Sequence, residues 1–80
     1  MSLENAVGLI MRYELELEVK GYPPALVKMA IDRARGTAMH RVAPISEAIR
    51  DQAYHDILAH ELQDAEAWIV RQQEFLGTAQ

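Results

Sequence analysis

Residues 46–76 read SEAIRDQAYHDILAHELQDAEAWIVRQQEFL and contain neither proline nor glycine. Within them, apolar side chains recur at alternating steps of four and three residues, the spacing of a short coiled-coil seam on an α-helix. The seam consists of Leu58, Leu62, Ala65, Ile69, Gln72 and Leu76, and its flanks carry Ile57, Trp68 and Phe75. A helix of roughly 30 residues is about 45 Å long, which is longer than an 80-residue domain requires. We therefore predict one long amphipathic helix, part of whose apolar stripe is left for a partner.

Two turn signals divide the rest of the chain into two further segments. Gly21 can adopt the left-handed conformation that ends a helix, and Pro24 suits the first turn of the next one. Pro44 disfavours helix in the residue before it, and Ser46 is a good N-cap. We predict an all-α fold of three helices, in which the first two form a hairpin packed on the long third. The predicted helices are residues 3–20, 24–42 and 46–76.

The first segment carries two conflicting signals. Residues 13–19 alternate strictly between apolar and acidic side chains, which is the pattern of a half-buried strand. However, Glu and Leu are strong helix formers, and Arg12, Glu16 and Lys20 lie at successive four-residue spacings that support a helix. We expect a helix. Its apolar residues would then cover most of its circumference, so it needs cover on more than one side, which is a second indication of a partner.

The middle segment has one apolar stripe that passes a glycine. The stripe consists of Val27, Ile31, Ala34, Ala38 and Val42. A glycine inside a helix costs up to about 1 kcal/mol relative to alanine. Gly36 therefore either lies within a continuous helix or marks a break or a close helix crossing.

Composition points to a small domain that associates with itself. Half of the 80 residues are apolar, a chain of this length can bury only part of its surface, and no cysteine is present to form a disulfide. We expect a homodimer. The lack of cysteine suits a reducing compartment, Glu4 precedes the only short apolar run near the N-terminus, and no stretch is long enough to span a bilayer, so we expect a cytoplasmic protein.

Charge is distributed unevenly along the chain. Residues 1–22 carry a net charge of −2, residues 23–45 of +3 and residues 46–80 of −5. We expect the basic helix to pack between the two acidic ones, with its cations next to their carboxylates. The alternative is a nucleic-acid-binding patch at residues 28–41, which the acidic net charge of the whole chain disfavours. The cations concerned are Lys28, Arg33, Arg35 and Arg41.

One pentapeptide offers candidate metal ligands. HELQD, beginning at His60, differs from the helical zinc-binding pattern H-E-x-x-H in having Asp64 at its last position. His60 and Asp64 lie one helical turn apart, so they could share a metal, with Glu61 or His40 as a further ligand. The alternative, which we prefer, is an ordinary exposed ion pair between His60 and Asp64.

Glu61 lies inside the apolar stripe of the third helix, where a carboxylate without a partner would be costly. The sequence leaves several partners open: Tyr13, Tyr22, a basic side chain of the middle helix, or a second copy of the chain. We interpret Glu61 as a polar specificity point in an apolar contact, with Gln72 in a similar role.

No pattern of residues predicts catalysis. The chain has no glycine-rich phosphate loop and no nucleophile motif, and its two serines, Ser2 and Ser46, are both expected at helix starts. We therefore predict an interaction or assembly module without an enzymatic step or a cofactor, dimeric through the third helix. The predicted interface residues are Leu58, Leu62, Ala65, Trp68, Ile69 and Leu76.

Overall fold

The computed structural model describes the backbone of residues 3–78 and the side-chain surroundings of residues 6–77. No strand occurs between residues 3 and 78, so the all-α prediction is confirmed and residues 13–19 are helical. Ser2 lies outside the described residues. The elements are α1 (Leu3–Val19), α2 (Pro24–Val42), a 3₁₀ turn (Glu47–Ile49), α3 (Arg50–Gln63) and α4 (Ala65–Thr78).

The turn between α1 and α2 forms as the sequence predicts. Gly21 has a φ of 91°, which is the left-handed conformation. Its N–H donates to the carbonyl oxygen of Glu18 at 2.9 Å, and the N–H of Tyr22 donates to that of Leu17 at 3.3 Å. These two bonds are the Schellman pattern that closes a helix. Pro24 then begins α2, where its missing N–H leaves no helical bond unmade.

The single helix predicted over residues 46–76 is wrong at two places. It begins with the 3₁₀ turn, where Ser46 makes no side-chain capping bond, and it breaks at Asp64. The N–H of Asp64 points to the carbonyl oxygen of Glu61, at 3.1 Å, and to that of Leu62, both nearer along the chain than an α-helical acceptor. Aspartate is a weak helix former because its side chain competes for backbone hydrogen bonds, so the helix is easily interrupted there.

The core joins the hairpin to the two halves of the broken helix. Leu58, Leu62, Ala65 and Ile69 stay in phase across the break, and all four are buried. α2 packs against both α3 and α4, and α1 packs against α2 and α3. The predicted three-helix arrangement is therefore present, with its third member broken at Asp64. The buried residues that α2 contributes to this core are Val27, Ala30, Ile31, Ala34 and Ala38.

α2 runs without interruption past Gly36, so this glycine marks neither a break nor a close crossing. A Cβ built at Gly36 would have no other atom within 4 Å. Within residues 3–78, no helix combines the length and the apolar character needed to cross a membrane.

We predict that alanine has opposite effects at two glycines. Gly36→Ala should raise the free energy of unfolding by about 0.5–1 kcal/mol, because alanine is the better helix former and the added methyl group meets no clash. Gly21→Ala should lower it by about 1–2 kcal/mol, because an L side chain is strained at this positive φ. Urea unfolding followed by circular dichroism measures both. Shifts of the same sign would contradict the assigned helix boundary.

We also predict that two leucines of the seam differ sharply. Leu58→Ala should lower the free energy of unfolding by about 2–5 kcal/mol, since Leu58 is fully buried and its truncation leaves a cavity. Leu76→Ala is the matched control, because Leu76 is 53% exposed, and its effect should stay within about 0.5 kcal/mol. Thermal and urea unfolding check both values. Equal losses would mean that the core does not lie where we place it.

Candidate interaction surface

Most of the predicted interface lies inside the single chain. Trp68 is half-buried beside the core and Leu76 is exposed, so these two remain accessible to a partner. The buried part of the seam thus packs within one chain, and the dimer itself stays a prediction. The four members that the chain buries, each at most 2% exposed, are Leu58, Leu62, Ala65 and Ile69.

An exposed apolar band runs along the outer side of α1. Its members are Val7, Met11, Leu15 and Val19, which are between 51% and 78% exposed. Successive members are four residues apart and turn by about 40° each, so they follow one another along the helix. This band is the α1 ridge. The opposite side of α1 places Ala6 and Leu17 in the core, so α1 is apolar on two faces.

The sequence reasoning missed the α1 ridge as a separate feature. It anticipated apolar side chains around most of α1 without identifying which of them the fold leaves uncovered. The signal was the regular four-residue spacing from Val7 to Val19, which the alternation within residues 13–19 obscures.

A groove of about 500 Å³ opens at the N-terminal end of the α1 ridge. Val7 and Ile10 line it from α1, Met39 and Val42 from α2, and Tyr54 from α3. Because Val7 belongs to both the ridge and the groove, the apolar surface continues from one into the other. An apolar surface of this kind in a small folded domain marks an interaction site more often than chance exposure.

A second groove, of about 460 Å³, lies between α1 and α2 and is lined by charged residues of both helices. Glu14 and Glu18 line it from α1, while Lys28 and Arg35 line it from α2. Arg35 Nη1 also lies 3.8 Å from Asp32 Oδ1 on its own helix. Cations of the basic helix and carboxylates of the acidic first helix thus line the same groove, and no ion pair joins them among the described residues. Such exposed neighbours stabilise only weakly.

Glu61 forms an ion pair with a residue of α2. Arg41 Nη1 donates a hydrogen bond to Glu61 Oε1 at 2.8 Å, and the carboxylate side chain is only 13% exposed. Among the partners that the sequence left open, a basic side chain of the middle helix is the one the structure provides. The pair fastens α3 to the C-terminal part of α2 at the edge of the core.

The candidate metal ligands are not brought together. His60 and Asp64 are both exposed, and the described part of the chain contains no ion pair between them. Glu61 is engaged by Arg41, and His40 is exposed on α2. Among the residues that the structure describes, no group of three or more His, Asp or Glu side chains is arranged to hold a metal ion.

A three-residue polar contact ties α4 to the turn between α1 and α2. Lys20 Nζ donates to Glu66 Oε1 at 2.9 Å, and the hydroxyl of Tyr22 donates to Glu66 Oε2 at 2.8 Å. The hydrogen bonds from Lys20 and Tyr22 lower the pKa of the Glu66 carboxyl. The same contact raises the pKa of Lys20 and that of Tyr22, since each proton is held by the Glu66 carboxylate.

Comparison of the chain with models of protein families, with curated proteins and with solved structures found no match.

Glu66 gives a testable pH dependence. Because folding lowers its pKa, the contact stabilises the fold above the ordinary value of 4.5 and loses that contribution as the pH falls through the folded pKa. Glu66→Gln should therefore unfold more easily at neutral pH and should lose less stability on acidification than the unaltered protein. Urea unfolding at several pH values from about 3 to about 7 measures this.

Glu14→Gln is the control for that experiment, because Glu14 is exposed and has no ion pair within the described chain. This variant should keep the acid dependence of the unaltered protein. If Glu66→Gln also keeps it, the contact with Lys20 and Tyr22 does not form in solution.

Proposed function

We propose that the chain is a small helical interaction module that works by self-association as a homodimer and carries no catalytic step of its own. The observation that carries the proposal is the α1 ridge. The chain buries four of its six seam residues and still leaves a continuous apolar band on α1. A second copy would remove that band from water, and burial of apolar surface is the main driving force of association.

The sequence raised two other functions, metal binding and nucleic-acid binding, and the contacts of the residues concerned favour neither. A metal-binding role would need His60 and Asp64 together with a further ligand, and the nearby Glu61 carboxylate is already paired with Arg41. A nucleic-acid-binding role would need free cations on one face, whereas Lys28 and Arg35 share their groove with carboxylates. The cysteine-free sequence suits the reducing cytoplasm, where we expect the module to act.

Sedimentation tests the proposal directly. One helix face per copy is a contact at the small end of stable interfaces, so we expect a dimer that forms with rising concentration between about 1 and about 100 µM. The unaltered protein should approach twice the chain mass of 9.0 kDa over this range. A mass that stays at that of one chain throughout would refute self-association.

A matched pair of variants locates the surface. Leu15→Asp, on the α1 ridge, should shift the protein to the monomer while leaving its helix content unchanged, because Leu15 is 62% exposed and not part of the core. Ile49→Asp is the control, since Ile49 is similarly exposed, at 60%, but lies before α3. Dimerisation that resists Leu15→Asp and is abolished by Ile49→Asp would place the contact elsewhere.

A further inference from the structure

We propose that the groove of about 500 Å³ between α1, α2 and α3 binds a linear acyl carboxylate, with the head group at the guanidinium of Arg50. This groove, which Val7, Met39 and Tyr54 help to line, is the apolar groove. The site goes beyond the proposed self-association and does not depend on it, because every group that would hold the ligand belongs to one chain.

The shape of the apolar groove suits a small elongated molecule. The first part of α1, the end of α2 and the start of α3 all contribute to its walls. Its volume falls within the range of about 300–1,000 Å³ that small-molecule sites have. Along α2 it extends from Arg35 to Ala43, which is about 12 Å at the rise of an α-helix. An extended chain of roughly ten carbon atoms has this length, at about 1.3 Å per bond.

Most of the lining is apolar, as an acyl chain requires. Val42 is buried in the wall, Ile10 and Tyr54 are half-buried, and Met39 is 62% exposed. The side chain of Met39 is unbranched, so it can adapt its shape to a bound chain. Each methylene that leaves water for such a wall strengthens binding by up to about fourfold. The groove therefore favours a ligand with an apolar chain over a small polar one.

The charges in the lining favour an anion. Two guanidinium groups line the apolar groove, Arg35 on α2 and Arg50 on α3, against the single carboxylate of Asp51. Positive charge is thus in excess here, although the chain as a whole carries a net charge of −4. A carboxylate head group is attracted to such a site, whereas an ammonium head group is repelled.

Arg50 is the better placed of the two guanidinium groups. Its Nε and Nη2 donate to the carbonyl oxygen of Ile45 at 3.2 and 2.9 Å, which holds the side chain in one orientation. Among the residues that the structure describes, no carboxylate forms an ion pair with Arg50, whereas Arg35 Nη1 lies 3.8 Å from Asp32 Oδ1. The Nη1 group of Arg50 is therefore left to donate a charge-assisted hydrogen bond to a ligand carboxylate.

Calorimetric titration of the unaltered protein with decanoate tests the proposal. We expect saturable binding with a dissociation constant between about 10 µM and about 1 mM. Octanoate and hexanoate should bind more weakly, by up to about fourfold for each methylene removed, because contact with the apolar wall is lost. Decyltrimethylammonium, with the same chain on a cation, is the matched control. Equal or tighter binding of this cation, or no saturable binding of decanoate below its micelle-forming concentration, would overturn the proposal.

Two neighbouring residues should have opposite effects on decanoate binding. Arg50→Gln should weaken it by about tenfold, because the head group loses a charge-assisted hydrogen bond. Asp51→Asn should strengthen it by about twofold to threefold, because a nearby negative charge is removed. Arg33→Gln is the control, since Arg33 is exposed on α2 and does not line the apolar groove. If Arg50→Gln binds decanoate as tightly as Arg33→Gln does, the assigned head-group site is wrong.

A matched pair of methionines locates the acyl chain. Met39→Asp should reduce the affinity for decanoate by about tenfold or more, because it places a second carboxylate in the lining. Met29→Asp is the control, since Met29 is 54% exposed on the same helix but lies outside the apolar groove. Circular dichroism shows whether α2 stays folded in both variants. Equal affinities of the two folded variants would contradict the proposal.

Sedimentation of the same samples separates this inference from the proposed function. A dimer that does not bind decanoate upholds self-association and overturns the ligand site. Saturable binding by a protein that stays monomeric does the reverse. If the unaltered dimer does not bind decanoate and Met39→Asp converts it to a monomer, a second copy covers the apolar groove and the proposed ligand is wrong.

Discussion

The packing of large side chains from α3 and α4 onto a face of small side chains on α2 is the contact on which the structure depends. Ala30, Ala34 and Ala38 are all buried, and because their side chains are short they allow a neighbouring helix to approach closely. Leu58 and Leu62 fill that space from the other side and are almost completely removed from water. Burial of this kind supplies most of the free energy that folds a domain of this size.

That contact also explains why apolar surface is left over. Among the described residues of α1, the core formed with α2, α3 and α4 fully buries Ala6 and Leu17. Leu9, Ile10 and Tyr13 are partly buried beside this core, whereas the four members of the α1 ridge lie on the outer side of the helix, uncovered by the described residues. The α1 ridge is therefore a consequence of how the core is filled, and its exposure is compatible with a stable fold.

Ion pairs also connect the hairpin of α1 and α2 to α3 and α4. The basic α2 lies against acidic helices, with Arg41 joined to Glu61 of α3, while Lys20 at the end of α1 reaches Glu66 of α4. Segment charges read from the sequence predict that such neighbours exist, because opposite charges lie on helices that must pack together. They do not predict which side chains meet, since this depends on the rotation of each helix about its axis. The partner of Glu61 was for this reason one of several open choices.

The sequence predicted the fold class, the turn at Gly21 and the apolar phase of the seam, because each of these depends on local chemistry or on periodicity. It did not predict the break at Asp64, where the apolar phase continues although the helix does not. Nor did it place the seam inside one chain, because periodicity shows that a face is buried but not which chain covers it. The three buried alanines of α2 were the available sign that large side chains from the same chain pack there.

The alternation within residues 13–19 has a physical meaning that differs from the strand it resembles. Residues two apart on a helix are turned by about 200°, so they point to nearly opposite sides. Tyr13 and Leu17 pack toward the core, whereas Leu15 and Val19 lie on the outer side of α1. A period-two pattern in a segment rich in Glu and Leu thus arises when a helix is apolar on two opposite faces. One of these faces is covered by the chain itself, and the other is the one for which the structure provides no internal cover among the residues it describes.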